Sequence, residues 1–211
     1  MNEPYTILLE GAEAETELKK SRFIAHAASV STEEEAREFI DSIKKEFYDA
    51  RHNCYAYIIG KDADRVKYSD DGEPAQTAGL PIFNVLKESG IRNCCIVVTR
   101  YFGGTLLGAG PLARMYAEAA KLSLTASKTA VMRYGVEAQI EAGYSESEKI
   151  KRYLEKNEIY VSNTVYSANV FINVRVAETD YERMSLDIVS LTASNAKISK
   201  ISDAYFIDTK M

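Results

Sequence analysis

The chain has 211 residues, 46% hydrophobic and 27% charged, the make-up of a folded globular protein with a sizeable core. Its formal charge of −5 lacks the strong positive balance of many nucleic-acid binders, so RNA contact would need a local basic patch on an acidic body. Apolar runs such as residues 94–99 are too short to cross a bilayer, and residues 1–10 lack the regions of a signal peptide. Three cysteines cannot all pair, so reduced thiols, a cytoplasmic location and no membrane contact are expected.

In chain order, residues 21–28 alternate as a strand does, with Phe23, Ala25 and Ala27 on one face. Residues 31–48 carry Ala36, Phe39, Ile40, Ile43 and Phe47 at helical spacing, and Ser31 with Glu34 reads as a capping box. Residues 54–59 and 66–68 read as strands around the polar turn 60–65. A helix over 75–88 follows, starting near Ala78 because Pro81 must fall in its first turn, and ended by Gly90. Residues 93–99 form a central buried strand and 100–110 a glycine-rich loop, after which Pro111 opens a helix to about Leu124. The polar stretch 125–129 reads as a linker. Beyond it come strand 133–141, helix 145–157, strands 159–165 and 169–176, helix 179–193 and strand 198–207. That order, β-α-β-β-α-β, is the ferredoxin-like split unit. Two α+β domains, 1–128 and 129–211, are expected.

Two stretches carry chemistry. Residues 69–74 place Asp70, Asp71 and Glu73 around Gly72. Three carboxylates in so short a turn can hold a hard cation, but the alternating spacing of a calcium loop is missing, and an acidic turn whose Asp side chains bond nearby amides is the favoured reading. No metal or other cofactor is assigned. Residues 100–110 contain four glycines between a buried strand and a helix start. Such a loop lets backbone approach a ligand, and the helix N-terminus turns N–H groups outward. Arg100 and Arg114 would add charged donors, which together describe an anion site. The other reading is that the glycines only permit a crowded chain crossing. Of the adjacent aromatics, Tyr101 is expected at the surface and Phe102 in the core. Cys54, Cys94 and Cys95 all lie in runs that read as buried strands. With no nucleophile elbow or zinc-helix motif either, enzymatic activity is not the favoured expectation.

The chain resembles the YigZ/IMPACT family. The resemblance lies in Lys20-Ser21-Arg22-Phe23-Ile24-Ala25, in Asp49-Ala50-Arg51-His52-Asn53 with Ala56-Tyr57, in Ser69-Asp70-Asp71-Gly72-Glu73-Pro74 with Thr77-Ala78-Gly79, and in Val98-Thr99-Arg100-Tyr101-Phe102-Gly103-Gly104 with Leu107-Gly108. Two departures are visible, Gln76 and Pro111, each where the family usually has glycine. The resemblance implies a first domain like the second domain of a small-subunit ribosomal protein, a fold also used by domain four of elongation factor G. It implies a ferredoxin-like second domain similar to the last domain of that factor. It further implies translation-related regulation: eukaryotic members compete for the activator of a stress-responsive initiation-factor kinase, and the fold of bacterial members points to nucleic-acid or ribosome association.

The expected function is therefore translation-associated binding. A groove lined by Arg51, His52, Asp70, Asp71, Glu73, Arg100, Tyr101, Gly103, Gly104 and Arg114 would face RNA, the ribosome or a protein of the translation apparatus. The alternatives are a metal-dependent enzyme acting on a phosphorylated or peptide substrate, and a pure protein-interaction module. Oligomeric state is not readable.

Overall fold

The computed structural model describes residues 2–207, which form an α+β chain of two compact units, Tyr5–Ala130 and a second made of residues 2–4 and 131–207. Among the described residues, no helix is long and apolar enough to cross a membrane.

The first unit begins with β1 (Tyr5–Glu10) and β2 (Glu13–Leu18), which sequence periodicity missed; β2 alternates Glu with Ala and Thr, so its exposed face is wholly acidic. Then come β3 (Ser21–Ser29), α1 (Glu33–Glu46), β4 (His52–Ile59), β5 (Arg65–Ser69), α2 (Gly79–Ser89), the short β6 (Ile91–Arg92), β7 (Cys94–Tyr101) and α3 (Ala109–Ala126). A five-stranded antiparallel sheet runs β2-β3-β7-β4-β5. Its central strands are buried on both faces. Cys54, Ala56 and Ile58 of β4 join Cys94, Ile96 and Val98 of β7 in the cluster shared with α2 and α3. The intervening Tyr57, Ile59, Cys95 and Val97 pack with Ala36, Ile40 and Ile43 of α1. Side chains alternate across a strand, so covering both faces turns an alternating pattern into the continuous apolar run of residues 94–98.

Two sequence expectations need correction here. The cap of α1 is Thr32 rather than Ser31. Thr32 Oγ1 accepts from Glu35 N at 3.1 Å, and the Glu35 carboxylate accepts from Ser31 N at 2.6 Å, so the reciprocal cap stands one residue later than the spacing indicated. Residues 125–129 are no linker: α3 continues to Ala126 and the next strand starts at Lys128. Ser127 Oγ donates to Ser123 O and accepts from Ala12 N, so the connection is bonded into the fold.

The second unit continues with β8 (Lys128–Ala142), α4 (Tyr144–Lys156), β9 (Tyr160–Tyr166), β10 (Val170–Ala177), α5 (Glu178–Leu191) and β11 (Lys197–Ile207). Its antiparallel sheet runs β11-β8-β10-β9, so the element order is the split β-α-β-β-α-β. Val136, Ala138, Ile140 and Ala142 of β8 and alternate residues of β10 from Val170 to Val176 meet Ile150, Leu154, Met184 and Ile188 of the two helices.

His26 of β3 is buried. Its Nδ1 lies 3.5 Å from a Glu13 carboxylate oxygen, its Nε2 has no hydrogen-bond partner, and its ring packs on Phe47 at 4.9 Å. Burial holds the imidazole below its ordinary range, outweighing the opposite pull of Glu13 and Glu46. The unfolded chain takes up this proton near about pH 6.5, and the folded chain only at a lower pH. This contribution is therefore complete above the unfolded value and is lost as pH falls through the window between the two. Urea denaturation from about pH 7 to pH 5 should show falling stability in the parent chain and a flatter dependence in His26→Leu; parallel curves would refute the assignment.

Candidate functional site

β4 starts and β7 ends at the same edge of the sheet, because the strands are antiparallel with His52 opposite Arg100. A cleft of about 800 Å³ opens there, bounded by the turn after β5, the loop after β7 and the start of α3. The polar part of its wall comes from Asp49, Arg51, His52, Glu73, Arg100 and Tyr101, and the apolar part from Pro74, Phe102, Leu106, Leu107, Ala109 and Leu112.

The floor is a buried polar network. Arg100 Nη1 donates to Glu73 Oε1 at 2.7 Å, and Tyr116 Oη of α3 donates to the same oxygen at 2.8 Å. The guanidinium carbon lies 5.5 Å from the centre of the Phe23 ring and 5.7 Å from that of Phe102. Cys54 Sγ is 2.9 Å from Asp70 O and 3.4 Å from Tyr116 Oη. Burial pushes the Tyr116 phenol far above its ordinary range, with smaller contributions from Cys54 and Glu73. The Cys54 thiol is also driven up, chiefly by burial. Cys94 is pushed up to about 12 by burial and Cys95 well above the thiol range, so each cysteine stays protonated at neutral pH.

The acidic turn is built as a staple. Asp70 Oδ1 accepts from Ala78 N and Gly79 N, both at 2.9 Å, and its Oδ2 accepts from Gln76 N at 2.8 Å. It thereby caps α2, whose own N-cap residue, Ala78, offers no side-chain acceptor. Asp71 takes Lys44 Nζ of α1 at 2.7 Å and Asn53 N of β4 at 2.8 Å, while its carbonyl accepts from His52 Nδ1 at 2.9 Å. Both Asp side chains thus bond nearby backbone amides. Among the described residues, no group of three or more His, Cys, Asp or Glu side chains is arranged to hold a metal ion.

The residues expected from sequence divide accordingly. Arg51, His52, Glu73, Arg100 and Tyr101 line the cleft, whereas Asp70, Asp71, Gly103, Gly104 and Arg114 do not. Arg114 stands exposed on α3. Gly103 marks a chain crossing: a Cβ there would sit 2.1 Å from the Lys20 carbonyl carbon and 2.3 Å from Ser21 N. Of the two aromatics, Tyr101 stands at the surface edge as expected, but Phe102 is not core. Tyr101 closes β7, is only partly exposed and donates to Asp49 at 2.7 Å, whereas Phe102, just past the strand, is 51% exposed over Arg100. Leu106, 86% exposed, was missed, since an apolar residue inside a glycine-rich loop has no periodic signal. Tyr116 was also missed: its place among Leu112, Ala119 and Ala120 reads as plain core, and nothing local reports that its hydroxyl finds a carboxylate.

This floor and turn lie inside the stretch that a known family model matches. The Impact N-terminal domain model matches residues 19–124, and a domain of unknown function (DUF1949) matches residues 140–195. The IMPACT family member YvyE of Bacillus subtilis is 38% identical over 196 residues, covering 93% of this chain and 90% of the relative. The chain belongs to the YigZ/IMPACT family. YigZ of Escherichia coli, another relative, is 35% identical over 83% of this chain and 92% of its own. A solved structure described as a hypothetical protein superposes with a TM-score of 0.62 at 30% identity, covering 96% of this chain and 99% of that one. Gln76, one departure from the family pattern, has φ of +63°, in the left-handed region where glycine costs least. Pro111, the other, is the third residue of α3, where its missing N–H would have no partner inside the helix.

Removing one partner of a buried ion pair strands the other. Glu73→Ala should lower folding stability by about 3–5 kcal/mol, and Tyr116→Phe by about 1 kcal/mol, in denaturant titrations. A Glu73→Ala chain as stable as the parent would show that the network does not hold the floor.

Proposed function

We propose that the chain is a cytoplasmic, translation-associated binding protein whose first unit docks on a component of the translation apparatus through the cleft. In this reading the first unit has the fold of the second domain of a small-subunit ribosomal protein, shared with domain four of elongation factor G. The second corresponds to the last domain of that factor, in keeping with its split element order. Membership in the family supports the translation context, through the eukaryotic members that share its N-terminal domain.

One observation carries the preference for binding over turnover. The carboxylates and the thiol nearest the cleft are already engaged in holding the fold, while its apolar mouth is open. Asp70 and Asp71 serve as caps and clamps, Glu73 is shared by Arg100 and Tyr116, and the Cys54 thiol is buried and protonated. Phe102, half-exposed, and Leu106, almost fully exposed, instead stand at the mouth, as residues that lose exposed apolar area on association do.

Sucrose-gradient fractionation of lysate at low and moderate salt, with nuclease-treated controls, tests the reading. Co-migration with ribosomal particles is expected, and Leu106→Glu should shift the protein toward the top without lowering its stability. Recovery of the parent chain only at the top under every condition would reject the proposal.

A further inference from the structure

We infer that the cleft takes one carboxylate carried beside an apolar side chain and presented by a protein partner. The inference rests on the binding role proposed above and names the chemistry of the occupant.

Arg100 supplies the first observation. Its guanidinium has five N–H donors, and Nη1 gives one to Glu73. Nε is buried with no hydrogen-bond partner, the residue is only 7% exposed, and Arg100 is part of the cleft lining. A buried charged donor without an acceptor is costly, and an arriving acceptor removes that cost. The second observation is independent. Ala109, the first residue of the eighteen-residue α3, lines the same cleft, and Gly108 at the N-cap has no side chain to meet the first-turn N–H groups. Guanidinium and helix start belong to the lining of one cleft, and each would be satisfied by an acceptor-only group.

The rest of the wall restricts what carries that group. Phe102, Leu106, Leu107 and Leu112 give it an apolar side. Of the lining residues only Arg51 and Arg100 are cationic, and Asp49 and Glu73 stand among them. Two cations against two carboxylates leave no net positive charge to hold a run of phosphates, whereas directional N–H donors serve a single acceptor, so a peptide segment fits and a nucleic-acid backbone does not. A cleft of about 800 Å³ has room for an apolar residue next to the anion.

The probe is N-acetyl-phenylalanyl-leucine, as free acid and as C-terminal amide, titrated into the ¹⁵N-labelled full chain and followed by NMR. The acid should shift the Ala109 and Gly110 amides and the Arg100 Nε–H saturably, and the amide should bind about tenfold more weakly. Ala109→Pro removes one N–H at a position where proline suits a helix start, and should weaken the acid alone. Leu106→Ser should weaken acid and amide alike. Equal binding of acid and amide, or no shift at these three groups, would overturn the inference. So would displacement of the acid by single-stranded oligouridylate at lower concentration than by a competing dipeptide acid. The titration contains no ribosome, so its failure leaves the gradient result standing, and the converse also holds.

Discussion

Glu73 receives Arg100 from the end of β7 and Tyr116 from α3 on a single oxygen, and both donors come from groups that could not be left unpaired at that depth. The carboxylate ties the turn after β5 to the central strand and to the helix behind it. Desolvating a guanidinium and a carboxylate is expensive, and the mutual attraction offsets that expense only in good geometry with further hydrogen bonds. Tyr116 supplies one, and the flanking rings of Phe23 and Phe102 supply cation–π contact. The cleft floor is thereby fixed before any ligand arrives, which is the condition for binding without a large ordering cost.

The acidic turn then does locally what helix caps and loop closures do elsewhere. Asp70 replaces the side-chain cap that Ala78 cannot provide, and Asp71 joins Lys44 of α1 to the start of β4. Those bonds hold the left-handed residues Asp71 (φ +44°) and Gln76 (φ +63°) in backbone that side chains otherwise avoid. A stretch that reads as an acidic turn is in place a clamp between helix and sheet.

Much of the fold was legible in the sequence because burial and periodicity agree there. The apolar run of β7, the stripe of α1 and the split order of the second unit each announce themselves. The misses have physical causes. β2 pairs only one way, at the sheet edge, and alternates Glu with Ala and Thr, so it lacks the apolar content of a strand signal. α3 outruns its apolar stripe because Ser123 and Ser127 spend their hydroxyls on backbone carbonyls, a use that composition reads as loop. At the cleft, sequence named charged residues but could not name their partners. Whether Arg100 meets solvent or Glu73 depends on a contact 27 residues away, and whether Phe102 is core or surface depends on where β7 stops.

The partners also change what the acidic sequence implies for charge. Three carboxylates within four residues read as a negative field that would repel any anion. In the folded chain Asp70 faces backbone amides at the positive end of the α2 dipole, Asp71 faces Lys44, and Glu73 faces Arg100. Each charge is met within hydrogen-bonding distance, so its field falls off as that of a dipole rather than of an isolated charge. Arg100 is balanced by Glu73 in the same way, yet it keeps N–H groups that Glu73 does not use. In the reading proposed above, the cleft would offer a ligand directional donors rather than net charge, which would reward one well-placed acceptor and give little to a polyanion.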